Sequence, residues 1–323
     1  MKDLTAAEIH NLMTSYMTNT MASVVTADVL KKAEDPGVRE MLELGLQIAN
    51  KEVEGAEYFL TSDNRPLPEP FTKRDIQLPN TKYFSDNFVV LLKYKLGQDA
   101  LNVYALSLSS SINPEVCTFY KKLMNETADL VEKCIGLIIN SGMHQPLIHI
   151  PRDTGLDKVE DQDFLWNSIG GNRPLSAPEV LQITSNYYST EVLREIFRSF
   201  SKTKNKELKN HFERGKKLCA KQLEAMQGKL EKDELPQLPT WESEVDTEGE
   251  APFSERLMLF KTSMMAGAAG GRFGTSASAT LRKDIGTTFL KLMAETLLFA
   301  EDTGNILIKY RMLDEPPLVR KRQ

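Results

Sequence analysis

The sequence predicts an all-α protein made of two tandem four-helix bundles, each with one long crossover between its second and third helices. Three observations carry this expectation. First, a six-residue signature, Lys122-Leu123-Met124-Asn125-Glu126-Thr127, returns 169 residues later as Lys291-Leu292-Met293-Ala294-Glu295-Thr296, and Phe84-Ser85-Asp86 and Phe253-Ser254-Glu255 stand at the same separation. Second, the match extends upstream at an offset of 170 for Gly45/Gly215 and Lys51/Lys221, and of 171 for Leu4/Leu175, Glu8/Glu179 and Tyr16/Tyr187, as an internal duplication with small loop changes would make it. Third, each copy carries a proline-punctuated stretch of about 18 residues without helical periodicity, from Arg65 to Lys82 and from Leu235 to Pro252.

The first helix of each copy starts at a capping box, Thr5-x-x-Glu8 and Ser176-x-x-Glu179, whose side chains satisfy free amide donors of the opening turn. Ile9, Leu12 and Tyr16, and in the second copy Val180, Ile183 and Tyr187, then keep three-and-four spacing for about 25 residues. The second helix follows Asp35-Pro36, runs through Leu42, Ile48, Ala49, Val53 and Phe59, and stops at Asn64-Arg65-Pro66; its counterpart covers about Asn205 to Leu230. The crossovers come next, each with an aromatic after its prolines, Phe71 and Trp241. A helix of about 24 residues spans roughly 36 Å, and 18 extended residues reach up to about 60 Å, so the loop can traverse the bundle and start the third helix parallel to the second. That connection is the single long crossover of ferritin-like bundles.

Helix three is capped by Ser85 or Ser254. Its first copy has an ordinary apolar stripe, whereas its second contains Gly267, Gly270, Gly271 and Gly274. The pairs Gly267/Gly271 and Gly270/Gly274 present small faces four apart, which suits close helix packing at Gly271 or, as the sharper reading, a ligand slot. Helix four follows Pro114 or Lys283-Asp284, with a seam of Leu123, Thr127, Leu130, Cys134 and Leu137, and of Leu292, Thr296, Phe299, Thr303 and Ile306. The expected domains are 1–145 and 175–323, joined by a linker over 146–174 that holds an acidic run, Phe164, Trp166 and Gly170-Gly171. Phe164 and Trp166 are apolar enough that docking onto a bundle is expected.

At 323 residues, 41% hydrophobic and 26% charged, this is globular composition. No apolar run approaches the ~18 residues of a membrane span, and MKDLTAAEIH has no basic-then-apolar signal pattern, so a cytoplasmic protein is expected. Cys117, Cys134 and Cys219 are odd in number and form no CxxC pair, which argues against a disulfide framework or a zinc ribbon. Residues 1–170 hold 24 Asp/Glu against 16 Lys/Arg, and 171–323 hold 21 against 24. The stretch Arg194 to Lys232 has 12 Lys/Arg against five Glu, which raises an anionic-surface binder as one reading, although a solvated helix face explains it as well.

Di-iron members of the ferritin-like class use one Glu from each of two helices and a Glu-x-x-His pair from each of the other two. The residues three before His10, His144, His149 and His211 are Ala7, Ser141, Pro146 and Leu208, so that pair is missing. Glu126 and Glu295 recur beside the helix-four seam; they read either as interior acids or ligands, or as seam-edge carboxylates paired with a neighbouring helix. No nucleophile triad, dinucleotide fingerprint or phosphate-loop ending appears, and no catalytic, cofactor-binding or metal-binding residue is assigned.

Several stretches together carry a family resemblance: TAAEIHNLMTSYM and SAPEVLQITSNYY, GGNRPLSAPEV, LPTWESEV, PFSERLMLF, GRFGTSASATLRKDI, KLMAETLLFAEDTGNILI and the closing EPP. The chain resembles the domain-of-unknown-function 3231 family of spore-forming bacteria. That resemblance implies a ferritin-like fold, similarity to spore coat protein F and an association with sporulation; it supplies no catalytic residues. The expectation is a non-enzymatic helical-bundle protein, a spore coat or sporulation-associated component located in the cytoplasm, forespore or coat, with protein partners or self-association and no nucleic acid. The rival expectations are a metal-binding or oxidoreductase module with an atypical site, and the anionic-surface binder.

Overall fold

Helix caps set the boundaries of the structure, a computed structural model that describes residues 3–143, 148–152, 155, 157–166, 173–246 and 249–319. Thr5 and Glu8 form the reciprocal capping box that opens α1 (Ala6–Leu30), and Ser176 and Glu179 repeat it at α6 (Ala177–Phe200). Asp35, with Pro36 in the first turn, caps α2 (Pro36–Ser62); Ser85 caps α3 (Asp86–Ser110); Asn113 caps α4 (Pro114–Asn140). A short α5 (Asp163–Trp166) precedes α6, and α7 (Lys206–Glu231), α8 (Glu255–Ala279) and α9 (Lys283–Lys309) complete the second copy. Two helices end alike in both copies. Asn64 and Glu234 take the left-handed conformation at φ 56° and 57°, and the following amides, of Arg65 and Leu235, reach back to the carbonyls of Leu60 and Leu230.

All described helices are α-helical or short 3-10 turns, and the only β pairing among the described residues is a single antiparallel bridge between Ile76 and Phe253. The chain divides into two units, one of residues 1–143, 250–258 and 307–323, the other of 144–249 and 259–306.

In the first unit α1 packs on α2 and α3 on α4, with α2 against α4 and α1 against α3. Two carboxylates at helix starts fix the direction of travel. Asp86, at the start of α3, accepts the amides of Glu34 and Asp35 in the α1–α2 turn at 2.9 and 2.8 Å. Glu8, at the start of α1, accepts the amides of Ile112 and Asn113 in the α3–α4 turn at 2.9 and 2.8 Å. Helix α3 therefore begins where α2 begins, and residues 63–85 must run back along the ~40 Å length of α2. Phe71 anchors that run: it is buried, and its amide donates to Thr20 Oγ1 on α1. The same run pairs with residues 252–256. Gln77 donates to the Pro252 carbonyl at 2.8 Å, Ser254 donates to the Asp75 carbonyl and carboxylate, and the Arg256 guanidinium lies over the Phe71 ring. Phe253 meets Tyr83 edge-on in the core of this unit.

The second unit uses the same devices with other residues. Glu179 accepts the Arg282 amide at 2.9 Å, the counterpart of the Glu8 contacts, and is clamped by both terminal nitrogens of Arg173. Trp241 stacks on Tyr188, and its amide donates to Glu191, which stands 171 residues after Thr20. In the linker, Arg173 covers the Phe164 ring at 4.0 Å, while Trp166 remains 56% exposed beneath the Lys283 ammonium. Docking is thus partial: Phe164 is half-buried and Trp166 is not buried. Gly170-Gly171, His144, Pro146 and the basic tail Arg320-Lys321-Arg322 lie outside the described residues. Among the described residues no helix is long and apolar enough to cross a membrane.

Candidate functional site

The chemistry-bearing residues nearest the axis of the first bundle converge on one carboxyl. Glu52 follows Ile48 by one turn of α2 and precedes Ala56 by another, so helical periodicity points it into the core, where it is 1% exposed. Tyr104 Oη on α3 donates to Glu52 Oε2 at 2.5 Å, and the Ser15 and Asn19 side chains of α1 also hydrogen-bond to it. Around this centre, Ser15 Oγ lies 3.3 Å from Tyr120 Oη on α4, and Thr127 on α4 hydrogen-bonds Tyr104. Burial pushes the Glu52 carboxyl up to about 7, against the partial opposition of its three hydrogen bonds. Burial and the neighbouring carboxyl push the Tyr104 hydroxyl up, so it serves as a donor and not as an acid.

The duplication places a matched set in the second bundle, written in neutral side chains. Ser15, Glu52, Ser107 and Thr127 correspond to Asn186, Gln222, Ser276 and Thr296, and Tyr104 and Tyr120 to Phe273 and Phe289. Asn186 donates to Ser276 at 2.7 Å, Ser276 to Gln182 at 2.7 Å, and Gln222 to Thr296 at 2.8 Å. Both bundle centres are polar, and internal hydrogen bonds satisfy most of that polarity. Where the acid has become an amide, the tyrosine that donated to it has become phenylalanine.

Other polar groups with shifted pKa values lie off these centres. On α6, Glu191 is fully buried and pushed up to about 7 by burial; Arg194 bridges it to Glu195 and to Glu242 of the crossover. On α7, His211 stacks on Phe299 at 4.4 Å with Nε2 2.9 Å from Thr303 Oγ1; burial first, then Arg214, drives its pKa down to about 4. On α3, Lys93 donates to Thr26 Oγ1 at 2.6 Å and is held down to about 8 by burial, beside Cys134, whose thiol burial pushes up to about 12.

The residues singled out from the sequence fall elsewhere. Glu126 takes both carboxylate contacts from Lys51 at 2.9 Å, and Glu295 takes one from Lys221 at 2.7 Å; both are interhelical pairs at the solvent edge, outside the polar centres. Much of the basic stretch is paired internally: Arg194 and Arg198 with Glu195, Arg214 with Asp302, Lys216 with Glu213, Lys221 with Glu295 and Lys229 with Asp284. Of the glycine pairs, Gly270 and Gly274 face α9, where an added Cβ would meet Leu297 at 2.9 Å and Met293 at 3.1 Å. The expectation of close packing at Gly271 is corrected: neither Gly267 nor Gly271 has a neighbour within 4 Å, because they turn away from α9.

Glu52 was legible and missed. The apolar stripe drawn through Val53 passes in fact through Ile48, Glu52, Ala56 and Phe59, and a carboxyl in register with that stripe is the signal that finds it. As a donor set for a pair of metal ions the site does not fit, since it offers one protonatable carboxyl, hydroxyls and an amide in one bundle and no carboxyl in the other. Among the described residues no group of three or more His, Cys, Asp or Glu is placed to hold a metal ion.

Comparison with known proteins agrees with the duplication. The chain matches the family described as "Protein of unknown function (DUF3231)" over residues 1–152 and again over 163–323. A crystal structure of a candidate spore coat protein from Bacillus halodurans C-125 is similar at 18% identity and a TM-score of 0.42, covering 48% of this chain and 98% of that one. No curated protein matches the chain. With nearly its whole length matched, in two segments that follow the internal repeat, the chain belongs to the DUF3231 family.

Proposed function

We propose that this protein is a non-enzymatic structural component of the spore coat, or of sporulation, in a spore-forming bacterium, built as two ferritin-like bundles joined by a linker near residues 146–174. The observation that carries the non-enzymatic part is the matched pair of bundle centres. A ferritin-like metal pair needs inward carboxylates and histidines spread over all four helices, whereas the inward side chains here bond to one another: Tyr104 to Glu52 in one copy, Gln222 to Thr296 and Asn186 to Ser276 in the other. A bundle centre filled by its own hydrogen bonds orders the core and gives it a unique register, which is what a structural building block requires. The spore part rests on the motif resemblance set out above.

Elemental analysis of protein purified without chelators tests the reading. Less than one equivalent of transition metal per chain, and no iron-dependent oxygen consumption, is expected. About two irons or manganeses per bundle, lost on Glu52→Gln or on Glu126→Gln and Glu295→Gln, would overturn it and restore the oxidoreductase reading.

A further inference from the structure

The two copies differ on one outer surface. In the second bundle, the solvent side of α8 and α9 presents Gly267, Gly271, Leu290, Ala294, Leu297 and Leu298. The three leucines are 51%, 47% and 63% exposed. The matching positions of α3 and α4, 169 residues earlier, are Gln98, Asn102, Lys121, Asn125, Ala128 and Asp129. The fold therefore does not demand an apolar surface there, because its sister copy builds the same helices with amides and charges.

We propose that this α8–α9 face is where a second copy of the chain docks, through a two-fold contact. Three features support that occupant. The face is self-complementary: within the chain, Leu297 already fills the small hole at Gly270, and Gly271 and Gly267 are holes of the same kind with nothing within 4 Å, next to exposed Leu290 and Leu298 as knobs. A two-fold operation seats each copy's leucines in the other's glycine holes and closes the assembly as a dimer. The charges at the margin also suit this symmetry. Lys291 and Glu301 are exposed and stand five residues to either side of Thr296 on α9, so antiparallel α9 helices crossing near that point bring Lys291 of each copy to Glu301 of the other. Area is sufficient as well. About 16 residues of two neighbouring helices, ~24 Å long and ~20 Å wide together, offer on the order of 500 Å² per copy, or ~1,000 Å² in total, the lower bound for a specific interface.

Sedimentation of the full chain over roughly 5 to 200 µM, which brackets a micromolar dissociation constant, reads the outcome. A monomer–dimer equilibrium is expected for the wild type. Gly271→Arg, which enters open space and so leaves the bundle folded by circular dichroism, should abolish it, whereas Asn102→Arg at the matching position of the first copy should not. Glu301→Lys should weaken dimerisation at least tenfold, and adding Lys291→Glu should recover it. A wild type that stays monomeric throughout, a dimer that survives Gly271→Arg, or a charge-swapped pair that fails to recover would each overturn the proposal.

Discussion

Glu52→Gln should make the first bundle more stable at neutral pH and leave it nearly unchanged in mild acid. Folding raises the pKa of this carboxyl from its ordinary 4.5 to about 7, so the folded chain holds the proton more tightly than the unfolded chain does. Its contribution to stability is complete below about pH 4.5 and is lost as pH rises through 7. Each pKa unit corresponds to about 1.4 kcal/mol, so the difference of roughly 2.5 units amounts to ~3 kcal/mol across that window. Glutamine offers the Tyr104 hydroxyl the same carbonyl acceptor without a charge to bury, as Gln222 does at the matching place in the other copy. At pH 7.5 the substitution should therefore stabilise the first bundle by ~3 kcal/mol, and at pH 5 by less than about 1 kcal/mol. The interval from pH 5 to 7.5 lies below the depressed Lys93 and above the range in which Glu8 and Asp86, both held below the usual carboxylate range, take up protons. Because Trp166 and Trp241 both lie in the second unit, their fluorescence does not report on α2, and amide hydrogen exchange is the assay of choice. Slowly exchanging α2 amides should be protected more than tenfold better in the variant at pH 7.5, and less than about fivefold better at pH 5. Equal protection of both proteins at both pH values would refute the burial of a titrating acid.

Gly270→Leu should overpack the α8–α9 contact and cost ~1 to 3 kcal/mol in thermal or chemical melts, whereas Gly271→Leu should be tolerated, because only the first would meet a neighbour. Reversed effects would mean that the helices are rotated from the positions described. Arg173→Ala should destabilise the second unit by roughly 3 kcal/mol, since it leaves the fully buried Glu179 without its ion pair. Burial raises the Glu179 pKa, but Arg173 and the Ser176 and Arg282 hydrogen bonds outweigh it and bring it down to about 2; the stability from this group is therefore present above pH 4.5 and lost as pH falls towards 2, and acid titration of the variant should show a smaller loss, because the Ser176 and Arg282 hydrogen bonds remain. Glu126→Gln should change stability by less than about 0.5 kcal/mol in denaturant titrations, because its pair with Lys51 is solvent-screened; a large loss would return Glu126 to the interior.

Repetition made the architecture readable. Offsets of 169, 170 and 171 locate helices and loops without any propensity argument, and they pair Thr20 with Glu191 and Phe71 with Trp241, which the structure joins as crossover anchors in both copies. The polar centres were harder to see, for a physical reason. A glutamate on a helix is nearly always solvated, so residue type alone does not single out Glu52 between Ile48 and Ala56, whereas recurrence does single out Glu126 and Glu295. Recurrence here marks a conserved pairing geometry, Lys51 with Glu126 and Lys221 with Glu295, between helices α2 and α4 and their copies. The true centre changed its residue types between copies, acid to amide and tyrosine to phenylalanine, and so hid from a search for identity. Glycine orientation was likewise beyond spacing alone. Gly270 and Gly271 are adjacent in sequence and about 100° apart on the helix, and only the position of α9 decides which is a packing hole.

A structural role at the spore is tested by following where and when the protein accumulates. Appearance during sporulation and enrichment in the forespore or in the extracted coat fraction of mature spores are expected. Uniform accumulation in vegetative cells, with none retained by purified spores, would contradict it.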